Sequence, residues 1–175
     1  MSGQTSETEP FEKIYQAVYP ILVRVSYHIT GDMAIAEDLC QEAFIRYYQR
    51  DTPFPSLDQA KYWLIRVVKN LAFNHEKRKG REKKAHERIL KEPQRESESG
   101  ETEVIKKETY DIVKSALHKL PYKLRTVLVL REYGGLNYKE IASILKITEG
   151  NVKVRVFRAR EQLSKLIDEE EVYVS

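Results

Sequence analysis

The chain has 175 residues, 41% of them hydrophobic and 33% charged, with a formal net charge of +3. That length accommodates one medium domain or two small ones, and so high a charged share suits small helical units with much surface, not one large core. The lone cysteine, Cys40, excludes an intramolecular disulfide framework, and no apolar run approaches the ~20 residues that a bilayer span requires. The opening MSGQTSETEP is polar and acidic, without the basic-then-apolar order of a secretion signal, which predicts a soluble, cytoplasmic protein without membrane insertion.

After a polar tail over residues 1–10, expected to be disordered, Phe11, Ile14, Tyr15, Val18, Leu22, Val25 and Ile29 recur at helical spacing. Gly31 ends that helix, and Asp32 caps a second one running from about Met33 to Gln49. The stretch RDTPFPSLDQ, with Pro53 and Pro55, reads as a loop, and a third helix starts near Asp58 and extends to Arg78 or beyond. From Lys77 to about Lys91 the chain is dense in Lys and Arg, and from Glu92 to Glu103 it is rich in Glu and Ser. Between Ala85 and Val104 only Ile89 and Leu90 are large apolar residues, too few to offset the entropy of ordering. Residues 83–104 are therefore expected to be a charged flexible linker, with an extended exposed helix as the alternative for its basic half. Helical pattern returns with Ile112, Val113, Ala116, Leu117 and Leu120; Pro121 fits the first turn of a helix through about Tyr133, which Gly134-Gly135 breaks. Asn137 and Glu140 have the spacing of a capping box opening a short helix to Leu145, and Thr148 caps a last helix to about Ile167. The predicted architecture is all-α: two small helical domains, residues 11–82 and 105–170, with the linker between them.

A short helix, a tight turn and a longer helix make a helix-turn-helix. Val152, Val156, Ala159, Leu163 and Leu166 share one narrow sector of the last helix and predict its buried side. Gly150, Asn151, Val154, Phe157 and Arg158 share the opposite sector, flanked by Lys153 and Arg155, which suits entry into a major groove; the plainer reading is a basic solvated face. The segment LPYKLRTVLVLREYGGLNYKEIASILKITEGNVKVRVFRAREQL resembles region 4 of extracytoplasmic-function sigma factors of RNA polymerase. It departs from the usual pattern at Asn137 (Ser), Lys146 (Gly), Asn151 (Thr) and Val154 (Ser). The resemblance implies that Asn151, Lys153, Val154, Arg155, Phe157 and Arg158 contact the −35 promoter element. A glycine is usual at position 146, and a positive φ at the lysine would cost about 1 kcal/mol.

In the second helix Ile35, Ala36, Leu39, Cys40, Ala43 and Tyr47 are predicted to face inward, and Asp38, Gln41 and Ile45 outward, with Glu42 and Gln49 beside them. An exposed isoleucine within an acidic and amide patch fits a docking surface, although a single surface Ile is also ordinary. GDMAIAEDLCQEAFIRYY is similar to region 2.2 of the same family, which implies core polymerase contacts at Asp38, Gln41, Glu42 and Ile45. In the third helix Leu64, Val67, Val68 and Leu71 form a core stripe, and Trp63 is expected to be mainly buried. Arg66, Asn70, Asn74, Lys77 and Arg81 align on another face, with Arg78 beside them, a pattern that suits nucleic acid. The resemblance of this helix to regions 2.3 and 2.4 implies that those six residues read the −10 element, and that the loop before it holds a base flipped from the non-template strand.

His28, His75, His86 and His118 lack the mutual spacing of a metal cluster, and no glycine-rich phosphate loop is present. No catalytic residue, metal, cofactor or small-molecule substrate is therefore expected. The resemblance implies core RNA polymerase, promoter DNA and an anti-sigma factor as partners. A free-standing helix-turn-helix regulator is the alternative, distinguished by binding DNA without polymerase.

Overall fold

The computed structural model describes residues 10–87 and 104–174, and over these it contains seven helices and no strand. A first unit consists of α1 (Phe11–Thr30), α2 (Met33–Tyr48) and α3 (Leu57–Glu87). A second consists of α4 (Val104–Lys119), α5 (Tyr122–Glu132), α6 (Tyr138–Leu145) and α7 (Glu149–Val174). Residues 1–9 of the expected tail and 88–103 of the expected linker lie outside the described residues. α3 runs to Glu87, so the basic residues up to that point are helical, and its side chains from Lys77 to His86 are exposed.

The helix ends follow local chemistry. Asp32 Oδ1 accepts from the Ile35 N–H at 3.2 Å, and Ser56 Oγ accepts from the Gln59 N–H at 3.2 Å. Asn137 and Glu140 cap reciprocally: Asn137 Oδ1 accepts from the Glu140 N–H at 2.8 Å, and Glu140 Oε1 accepts from the Asn137 N–H at 3.0 Å. Asn137→Ala removes the first of these bonds at an exposed position and should lower the unfolding free energy by about 1 kcal/mol, with Asn137→Ser retaining most of it. Urea denaturation of the full chain measures this, and an unchanged midpoint for the Ala variant would contradict it. Pro20 sits within α1 without ending it. The missing donor lies at an exposed position, where water can reach the Gln16 carbonyl.

Ile14, Val18, Leu22, Val25 and Ile29 of α1 are buried with Cys40, Ala43 and Phe44 of α2 and Leu64, Ile65 and Val68 of α3. Phe11 and Tyr15, expected on the same stripe, are 40% and 38% exposed and instead pack, edge-on or tilted, in an aromatic cluster around Phe44 and Tyr47. Trp63 is half-buried. In the second unit Leu117, Val127, Leu130, Ile141, Val152, Val156 and Ala159 are buried together. Cys40 is fully buried, which pushes its thiol up to about 12 and leaves it a small core hydrophobe.

The two units are packed against each other, with α1 contacting both α4 and α5. The C-terminal turns of α1 are therefore covered on two sides, and Ser26, His28 and Thr30 are buried with its apolar residues. Thr30 Oγ1 donates to the Ser26 carbonyl at 2.9 Å, which satisfies one of these polar groups inside the helix. Across the junction the Phe73 and Tyr122 rings lie 6.0 Å apart, and Lys114 Nζ sits 5.0 Å from the Tyr27 ring centroid.

Candidate nucleic-acid interface

The turn between α6 and α7 is closed by backbone hydrogen bonds. Lys146 adopts φ 55° and donates its N–H to the Ala142 carbonyl, which also accepts from the Ile147 N–H at 3.1 Å. This left-handed cap gives the Ala142 carbonyl at the helix end two donors, which offsets the strain of placing a lysine where glycine is usual. Thr148 Oγ1 then accepts from the Asn151 N–H at 3.1 Å and starts α7. The bond from Arg160 Nη2 to Glu132 Oε1, 2.8 Å long, ties α7 to α5.

α7 is two-sided. Val152, Val156 and Ala159 are at most 1% exposed, whereas Val154 is 45% and Phe157 69% exposed. Asn151, Lys153 and Arg158 are also exposed, and Arg155 is half-buried at the edge of the face. A phenylalanine held in water beside three cations contributes nothing to the core; it is available to stack on or pack against a ligand.

On α3, Arg66, Asn70, Asn74, Lys77, Arg78 and Arg81 are all exposed. Phe73, which the sequence reading left out, lies among them with Lys69 Nζ 5.4 Å and Lys77 Nζ 5.1 Å from its ring centroid. Its signal in sequence was its spacing, four residues from each lysine. Lys69 donates to Asn70 Oδ1 at 3.4 Å, and burial followed by repulsion from Lys146 lowers its pKa. In the preceding loop the Arg50 guanidinium lies 4.2 Å from the Phe54 ring centroid and 4.9 Å from that of Trp63. Beside it Pro10, Tyr47, Tyr48 and Thr52 line a cleft of about 220 Å³.

On α2, Asp38, Gln41 and Ile45 are exposed along one line, with Ile45 at 51%. Tyr48, 76% exposed, continues the same line one turn further and was also missed, although its spacing from Ile45 was legible. Glu42 lies at the edge, with its Oε1 3.1 Å from Arg46 Nε. Arg125, in the apolar stretch of α5, is a structural cation: it is buried, and its Nη1 donates to the His118 carbonyl at 3.0 Å. Among the described residues no group of three or more His, Cys, Asp or Glu side chains could hold a metal, and no helix is long and apolar enough to cross a membrane.

A helix-turn-helix with an exposed, cation-flanked reading helix, joined to a second unit carrying its own cationic helix face, defines a two-unit DNA-binding protein. Residues 14–82 match the family model of sigma-70 region 2, and residues 110–163 match that of sigma-70 region 4. The chain is similar to the RNA polymerase sigma-H factor of Pseudomonas aeruginosa, at 34% identity over 145 residues, covering 78% of this chain and 75% of that protein. It is also similar to the extracytoplasmic-function sigma factor SigW of Bacillus subtilis, at 33% identity over 162 residues, covering 88% and 82%. Among solved structures, RpoE in complex with the anti-sigma factor NepR from Bartonella quintana shares the fold, with a TM-score of 0.66 and 22% identity over 90% of this chain and 96% of that one. CnrH, in complex with the cytosolic domain of CnrY, does so with a TM-score of 0.62 and 21% identity over 91% and 88%. The chain belongs to the extracytoplasmic-function sigma factors of RNA polymerase, and it directs promoter-specific initiation of transcription.

Proposed function

We propose that the chain binds core RNA polymerase through Asp38, Gln41, Glu42 and Ile45 of α2, with Tyr48 extending the same surface. The −10 element is read by Arg66, Asn70, Asn74, Lys77, Arg78 and Arg81 of α3, with Phe73 between the cations. The −35 element is read by Asn151, Lys153, Val154, Arg155, Phe157 and Arg158 of α7. The observation that carries this reading is the exposure of three separate faces, each chemically suited to one partner. Acid, amide and apolar groups on α2 suit a protein surface, whereas cations with an aromatic on α3 and α7 suit nucleic acid.

The loop cleft beside Tyr47 and Arg50 would receive the base flipped during melting, with stacking offsetting the cost of unpairing. Two promoter contacts on one chain act through effective concentration, so neither has to be tight alone. The chain works by binding and positioning in the cytoplasm, and it carries out no covalent step itself. The complexes of RpoE with NepR and of CnrH with CnrY support an anti-sigma partner for this chain.

Run-off transcription on a genomic library with core polymerase tests the reading. Start sites sharing an upstream pair of elements are expected only when both polymerase and this protein are present. Specific DNA binding by the protein without polymerase, and no new start sites with it, would overturn it.

A further inference from the structure

The loop cleft is not built from the loop alone. Pro10 and Phe11, at the start of α1, line it together with Tyr47 and Tyr48 of α2 and Arg50 and Thr52 of the loop. Its volume of about 220 Å³ suits a single flat group, since pockets for drug-sized ligands begin at roughly 300 Å³. The match to sigma-70 region 2 starts at residue 14, so Pro10 and Phe11 stand outside the matched residues.

Local structure holds Phe11 in this place. Pro10 has φ −62° and ψ 140°, and its carbonyl accepts from the Lys13 N–H at 3.0 Å and the Ile14 N–H at 3.2 Å, which starts the helix. Ile14, fully buried, pins that first turn to the core. The Phe11 ring is T-shaped to Phe44 at 6.0 Å and to Tyr48 at 5.6 Å, and tilted by 33° to Tyr47 at 5.9 Å. Despite these contacts it is 40% exposed. A ring fixed by its neighbours and still open to solvent is ready to stack on a further flat group. The rest of the lining is complementary. The Tyr47 and Phe54 rings stack at 5.9 Å, and Arg50 is held over Phe54 and Trp63. Arg50 and Thr52 bring hydrogen-bonding groups, so the cleft offers π surface for the face of a base and polar groups for its edge.

We propose that Phe11, seated by Pro10, is a base-holding residue: it stacks on the nucleotide flipped from the non-template strand, so the start of α1 takes part in promoter melting. The inference rests on the reading of this cleft as the site of the flipped base. Stacking is indifferent to sequence because every base has a π face, whereas base edges are told apart by hydrogen bonds. Phe11 therefore holds the nucleotide without reading it, and discrimination falls to Arg50 and Thr52.

The test uses holoenzyme assembled from core polymerase and the full chain. Its probe is fork DNA with a single-stranded −10 non-template strand, taken from a promoter found by run-off transcription. Abasic nucleotides are placed at each −10 position in turn. Phe11→Ala should weaken binding to the intact fork by about tenfold, alike for forks of altered −10 sequence. At the flipped position the abasic nucleotide should weaken wild-type binding, and Phe11→Ala should then add nothing, because the contact is already gone. Phe11→Tyr keeps the ring and should bind as wild type; Phe11→Leu keeps only apolar bulk and should not. Wild-type affinity for Phe11→Ala, full rescue by Phe11→Leu, re-ranking of −10 sequences, or a loss that persists at every abasic position would overturn Phe11 as the base holder. In those cases the cleft reading stands if the effect of Arg50→Ala vanishes at one abasic position. If neither Arg50→Ala nor Phe11→Ala responds to an abasic nucleotide anywhere, the cleft does not take the flipped base and both readings fall.

Discussion

Asp38→Arg is expected to weaken binding to core polymerase by about thirtyfold or more, while leaving helical content and thermal unfolding nearly unchanged. Asp38 is exposed on the outer line of α2 and supports no core contact, and such surface changes usually alter stability by within about 0.5 kcal/mol. At a protein interface the same change removes a charge and installs the opposite one. Losing one partner of a desolvated charged pair costs about 2 kcal/mol or more, which is the thirtyfold. Glu42→Arg is the less direct probe. Glu42 pairs with Arg46 at 3.1 Å, so reversal sets two cations against each other within α2 and adds a few tenths of a kcal/mol of destabilisation. Glu42→Gln avoids that repulsion. Titration of labelled core with each variant measures the effect, and undiminished binding by both Asp38→Arg and Glu42→Gln would remove α2 as the polymerase surface.

In α7 the largest effects should separate grip from reading. Arg158, exposed in the same sector, is proposed to hold a phosphate or guanine at the groove edge, whereas Asn151, Val154 and Phe157 are proposed to face the base edges. Arg158→Ala should therefore lower holoenzyme affinity for all promoters alike and reduce the salt slope by about one unit, as the loss of one phosphate contact requires. Val154 carries no polar group and is 45% exposed, so with Phe157 it can pack on thymine methyl groups. Asn151→Ala and Val154→Ser should instead re-rank the preferred −35 sequences, by about 1–3 kcal/mol at an affected base pair. Binding to a randomised −35 library at several salt concentrations reads both outcomes. If Arg158→Ala re-ranks the library and the other two do not, the rotation of α7 in the groove differs from this assignment.

The sequence by itself determined the helical class, the order of the elements and the faces proposed to meet DNA and polymerase. It could do so because those features are local. Asp32 caps a group three residues away, Asn137 and Glu140 cap each other, and Val152, Val156 and Ala159 repeat at the helical period. Tyr48 and Phe73 were legible by the same spacing argument and were passed over.

The tertiary structure decided the rest. Whether Lys146 would accept a positive φ depended on the backbone bonds that close the turn between α6 and α7. The basic end of α3 extends as helix to Glu87 although its side chains bury nothing, a balance of helix propensity against charge repulsion that no apolar pattern reports. The packing of the two units left no periodic trace either. The second covered side of α1 carries His28, a residue type that often keeps contact with water, and it meets Tyr133 more than a hundred positions away. A stripe announces burial only when one apolar face packs in one direction. Where a helix is covered twice, once through an aromatic stack, only the assembled chain reveals it.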